Sequence, residues 1–82
     1  MDAVRYAKQM VALLSPAERV TLESLIAGEP LTELASRQSI TVDVVHDLLD
    51  ALRWKLGVTE DVAAVRIALT AGMARHSQTA QR

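Results

Sequence analysis

An all-α domain is what this chain encodes, and three features say so. Apolar residues recur at three-to-four spacing instead of alternating, helix breakers are scarce, and start and stop residues bracket each periodic segment. Half of the 82 residues are apolar, with only three glycines and two prolines among them. That is enough to close one small core without a metal or a disulfide, and not enough for a second domain.

Residues 3–13 place Val4, Ala7, Val11 and Leu14 on one stripe, with Arg5, Lys8 and Gln9 off it, which predicts a short amphipathic leader helix packing on the rest of the domain. Ser15-Pro16-Ala17-Glu18 then supplies a cap, a proline suited to the first helical position and an acid able to close a capping box. The first domain helix therefore spans 16–27, with Val20, Leu22, Leu25 and Ile26 inward and Gly28 as its stop. Glu29-Pro30 turns the chain into a second helix over 31–38, with Leu31, Leu34 and Ala35 inward and a surface Glu33/Arg37 pair at i,i+4.

After a short turn at Ser39 and Ile40, Thr41 caps a third helix, whose stripe of Val45, Leu48, Leu49, Leu52 and Leu56 ends at Gly57. Two helices joined so tightly form a helix-turn-helix. Thr59, with Glu60 and Asp61 behind it, starts a fourth domain helix that runs to about Met73. The organisation is then a leader helix at 1–13, a domain at 14–73 and a flexible tail at 74–82.

Composition narrows the function. The absence of cysteine removes disulfides, thiolate metal sites and a cysteine nucleophile, and leans the expectation to the cytoplasm. No apolar run approaches the roughly 18 residues of a membrane span. His46 has no second metal ligand at helical spacing and no Ser or Cys placed to use it, so the chain reads as neither an enzyme nor a metal or cofactor protein. Net charge is −1 and unevenly spread: residues 29–61 hold seven acids against Arg37, Arg53 and Lys55, while 62–82 hold three arginines and no acid.

Leu14-Ser15-Pro16-x-Glu18-Arg19, Gly28, Glu33-Leu34-Ala35, Ile40-Thr41, Val45, Lys55-Leu56-Gly57-Val58 and Ala64-Val65-Arg66-x-Ala68-Leu69 together resemble the LuxR-type (GerE-like) DNA-binding domain. The likeness covers about 60 of the 82 residues, and the KLGV and AVRxAL blocks are its most specific part. It implies four domain helices, the third in the major groove of double-stranded DNA and the fourth forming a homodimer. By the same resemblance His46, Asp47 and Asp50 face bases, and Thr32, Arg53 and Lys55 lie near phosphate. The family usually carries lysine where His46 stands and often a basic residue where Asp50 stands.

The residues themselves pull another way. At 100° per residue, Asp43, Asp47, Asp50 and Trp54 share the stripe opposite the apolar face of the third helix. Three carboxylates there would meet a polyanion, although Asp can accept from the cytosine amine if cations nearby hold the duplex. The stripe reads alternatively as a solvated face, or as a protein-binding surface anchored by Trp54. Trp54 could also pack under the leader helix.

In the fourth helix, Val62, Val65 and Leu69 are read as the inward face, with Ala63, Ala64, Ile67 and Ala71 as a second apolar face. A helix apolar on two sides is buried on two sides, so the second face is the expected dimer seam unless the leader helix covers it. The expectation is a small, stand-alone transcription regulator binding DNA as a homodimer. The alternative is a helix-turn-helix protein-binding module, such as an antiactivator or co-regulator, that does not bind DNA by itself.

Overall fold

The computed structural model describes residues 2–73, which form five helices: α1 (Ala3–Val11), α2 (Pro16–Ala27), α3 (Leu31–Gln38), α4 (Val42–Leu56) and α5 (Asp61–Thr70). Among the described residues there is no strand, and no helix is long and apolar enough to cross a membrane. The flexible tail expected at 74–82 lies outside the described residues.

Local chemistry sets most of the helix ends. The Asp2 carboxylate accepts from the Val4 and Arg5 amides at 3.0 and 3.2 Å and starts α1. At α2 the capping box is complete: Ser15 Oγ accepts from the Glu18 amide at 3.2 Å, and Glu18 Oε1 accepts from the Ser15 amide at 2.8 Å. Thr41 Oγ1 accepts from the Val44 amide at 3.2 Å and opens α4.

Helices α2 and α4 both end in left-handed glycines, Gly28 at φ 74° and Gly57 at φ 72°. There the next two amides fold back on the last-turn carbonyls, as in Gly57 to Trp54 and Val58 to Arg53. The α3 stop is made the same way by a non-glycine, Ser39 at φ 59°, whose amide donates to the Ser36 carbonyl while that of Ile40 donates to Ala35. A residue with a Cβ in this region costs on the order of 1 kcal/mol, which the tight α3–α4 turn offsets.

Helix α4 is the hub, packing against α1, α2, α3 and α5. Val45, Leu49, Leu52 and Leu56 from α4 meet Leu22 of α2, Leu34 and Ala35 of α3, Val11 of α1, and Ala64 and Ala68 of α5 in one core. Leu48, read as part of that stripe, is only half-buried. Thr21 and Ser24 of α2 are also buried, each hydrogen-bonded through its hydroxyl, Thr21 to the Ala17 carbonyl at 2.9 Å and Ser24 to Glu29 Oε1 at 2.6 Å.

Five expectations need correction. Val4 is exposed although the α1 stripe includes it, because the buried part of that stripe is limited to Ala7 and Val11. Arg37 pairs with Glu29, its Nη2 at 2.7 Å from Oε1, instead of with Glu33, since the turn after α2 brings Glu29 back over α3. Thr59 does not cap α5: the cap position is Glu60, without a side-chain bond, and Asp61 opens the helix. The helix also stops at Thr70, short of Met73, as the Gly72 amide turns back to the Leu69 carbonyl.

The fifth concerns the two apolar faces of α5, which are exchanged relative to the sequence reading. Ala64 is fully buried, Ile67 and Ala71 pack on the core, and Ala63 is half-buried, whereas Val62 is 66% and Leu69 53% exposed. The small residues let α5 lie close to α2 and α4 while α1 packs over it. Ala64, Ile67 and Ala71 are therefore part of the domain's own interior and not an open seam.

Candidate functional site

The α3–turn–α4 unit leaves one long helix surface uncovered. Asp43, His46, Asp47 and Asp50 are exposed along it, and Trp54 is 84% exposed at its far end. Trp54 thus does not pack under α1. It stands opposite the buried stripe of Val45, Leu49, Leu52 and Leu56, so one side of α4 can be apolar and filled while the other presents an indole among carboxylates. Thr32 is exposed in the first turn of α3.

The cations near this surface are engaged. Arg53 donates through Nη1 to Asp61 Oδ1 at 2.6 Å and through Nη2 to Asp50 Oδ1, spanning from its own helix to the start of α5. The hydrogen bond to Asp61, with the nearby Asp50 charge, holds the Arg53 guanidinium above its ordinary range despite some desolvation. Lys55 Nζ donates to Glu18 Oε1 at 2.7 Å and to the Leu13 carbonyl at 3.3 Å, which ties the end of α4 to the α1–α2 junction.

Glu18 is the innermost carboxylate of the group. Burial pushes it up, but the bonds from Lys55 and the Ser15 amide outweigh that and hold it below the usual carboxylate range. On α3, Arg37 donates to Glu29 through Nε at 3.2 Å and Nη2 at 2.7 Å. Glu29 is lowered first by that arginine and then by the Ser24 hydroxyl.

Every lysine and arginine between residues 29 and 61 is therefore in an ion pair. Asp50, read as base-facing, lies against Arg53, while Asp43, His46 and Asp47 stand free of ion pairs among the described residues. The structure brings Asp50, Arg53 and Asp61 together and sets Lys55 apart from them, on Glu18. From the sequence, Glu18 is legible as a cap and Asp61 as an acid at a helix start. The Asp50/Arg53 contact is legible as an i,i+3 pair, but the Lys55–Glu18 bond spans 37 residues and has no local signal.

No group of three His, Cys, Asp or Glu side chains that could hold a metal occurs among the described residues. Comparisons of the chain with protein-family models, with curated proteins and with solved structures return no match.

Proposed function

We propose that this chain is a transcription regulator of the LuxR helix-turn-helix class that contacts double-stranded DNA through α4 as a homodimer. The observation that carries the reading is the uncovered outer side of α4, directly behind a tight turn from α3. At 15 residues α4 is about 22 Å long, enough to lie along a major groove. The LuxR-like run of residues from Leu14 to Leu69 supports the same assignment.

In this reading Asp47 and Asp50 accept from exocyclic cytosine amines, His46 reaches a neighbouring base edge, and Thr32 and Arg53 meet phosphate. Two copies associate through the exposed side of α5, where Val62, Val65 and Leu69 recur at i, i+3 and i+7. With its nearby cations already paired, the surface releases few counterions. Affinity for mixed-sequence duplex is then low and its salt slope shallow. Binding of the purified protein to such a duplex across a salt series tests this, and no binding at the lowest salt refutes DNA contact.

A second reading is favoured by Trp54, a bare indole on the same side of α4 as Asp43 and Asp47, which have no ion pair among the described residues. Here the acidic face of α4 grips a basic protein surface, as in an antiactivator or co-regulator, and no DNA is bound. Asp47→Lys with Asp50→Lys separates the two. It strengthens duplex binding under the first reading and abolishes binding to a partner regulator under the second.

A further inference from the structure

We infer that the two cations at the end of α4 have divided roles: Lys55 is a fixed part of the scaffold, while Arg53 is an exchangeable phosphate contact whose release is controlled by Asp61. The inference rests on the DNA-contacting reading, and it keeps Lys55, near phosphate by the family resemblance, out of the phosphate contacts.

The division comes from what each cation would leave behind. The Glu18 side chain is only 9% exposed and its Oε1 already serves the Ser15 amide, so withdrawing Lys55 strands a shielded carboxylate and loosens the α2 cap. Lys55 also holds the Leu13 carbonyl at 3.3 Å, so its departure disturbs the α1–α2 junction as well. A phosphate offers Lys55 nothing that offsets both losses.

Arg53 is placed differently. Its two carboxylates, Asp61 and Asp50, are 45% and 72% exposed, so each can turn to water when the guanidinium leaves. Each terminal nitrogen donates to one of them, two of the five guanidinium N–H groups in all, and a phosphate arriving on the same guanidinium meets the charge of both carboxylates, which favours the release of one. Asp61 is the determining partner, because it comes from α5 and anchors Arg53 to a second helix. Asp50 sits on the contact surface itself and moves with it. Asp61 thus acts as a built-in stand-in for phosphate, and it lowers sequence-independent affinity in favour of sites that also satisfy the aspartates.

The test compares the wild type with Asp61→Asn in binding to a mixed-sequence duplex across a salt series, with circular dichroism confirming the fold. Asp61→Asn is expected to bind about tenfold tighter at roughly 50 mM salt, with a log–log salt slope steeper by about 0.9, the increment of one added phosphate contact. Arg53→Gln in the Asp61→Asn background should return the slope to the wild-type value. Lys55→Met should leave it unchanged. If that variant melts below the assay temperature, the Asp61 and Arg53 arms decide alone.

Equal slopes for wild type and Asp61→Asn overturn the inference while leaving DNA contact intact. A slope flattened by Lys55→Met overturns it too. Binding by neither protein at the lowest salt removes the DNA-contacting reading and this inference with it.

Discussion

Replacing Lys55 by methionine keeps most of the apolar stem and removes the charge, which takes away the Glu18–Lys55 bond that joins α4 to the start of α2, together with the longer bond to the Leu13 carbonyl. In the wild type, Glu18 Oε1 accepts from Lys55 Nζ at 2.7 Å and from the Ser15 amide at 2.8 Å. Without Lys55, a carboxylate that is 9% exposed keeps only the amide. Breaking a fully buried pair costs about 3–5 kcal/mol, but Lys55 is itself 33% exposed and water screens that side, so a loss of about 1–2 kcal/mol is expected.

In a domain of this size that corresponds to a fall in melting temperature of roughly 6–12 °C at neutral pH, read by circular dichroism at 222 nm. The pH dependence gives the sign. Glu18 titrates below its unfolded value of 4.5 in the folded protein, so its stabilisation is complete above that pH and is lost as pH falls through the lower folded value. In Lys55→Met only the Ser15 bonds remain to oppose burial, so protonation costs the variant less. The gap between the two proteins should narrow toward pH 3. A variant melting within about 2 °C of the wild type at pH 7, or a gap that stays constant on acidification, would show that the bond does not hold the junction.

The two sides of α5 give opposite outcomes. Val62→Glu and Leu69→Glu replace exposed residues and should change stability by no more than about 0.5 kcal/mol while converting a dimer to a monomer by sedimentation equilibrium. Ile67→Glu puts a charge against the core and should lose its helical signal altogether. A wild type that sediments as a monomer refutes the homodimer, and a dimeric Leu69→Glu moves the seam elsewhere. Gly28→Ala adds a Cβ that meets no atom within 4 Å, so its cost is the left-handed backbone alone, about 1 kcal/mol in a urea titration. An unchanged midpoint would mean that the α2 end shifts to accommodate it.

Much of this protein is legible without coordinates, because helix ends are made by neighbours in the chain. Ser15, Pro16 and Glu18, Thr41, Gly28 and Gly57 act over three or four residues, and α2 and α4 begin and end where those signals put them. The outward Asp43, Asp47, Asp50 and Trp54 stripe is also local, being a consequence of 100° per residue once the buried stripe of α4 is known.

Tertiary structure decided what periodicity leaves symmetric or distant. Helix α5 has two apolar faces of similar character, and only the close approach of α2, α4 and α1 selects the small-residue side for the interior and leaves Val62 and Leu69 outside. The ion pairs of Lys55 with Glu18, and of Arg53 with Asp61, are chosen by how α4 crosses the α1–α2 junction and the start of α5. A chain can state that it carries cations near the end of a helix. Whether those cations are free is a property of what the folded chain places beside them, since charges far apart in sequence find one another only after the core has set the helices in place.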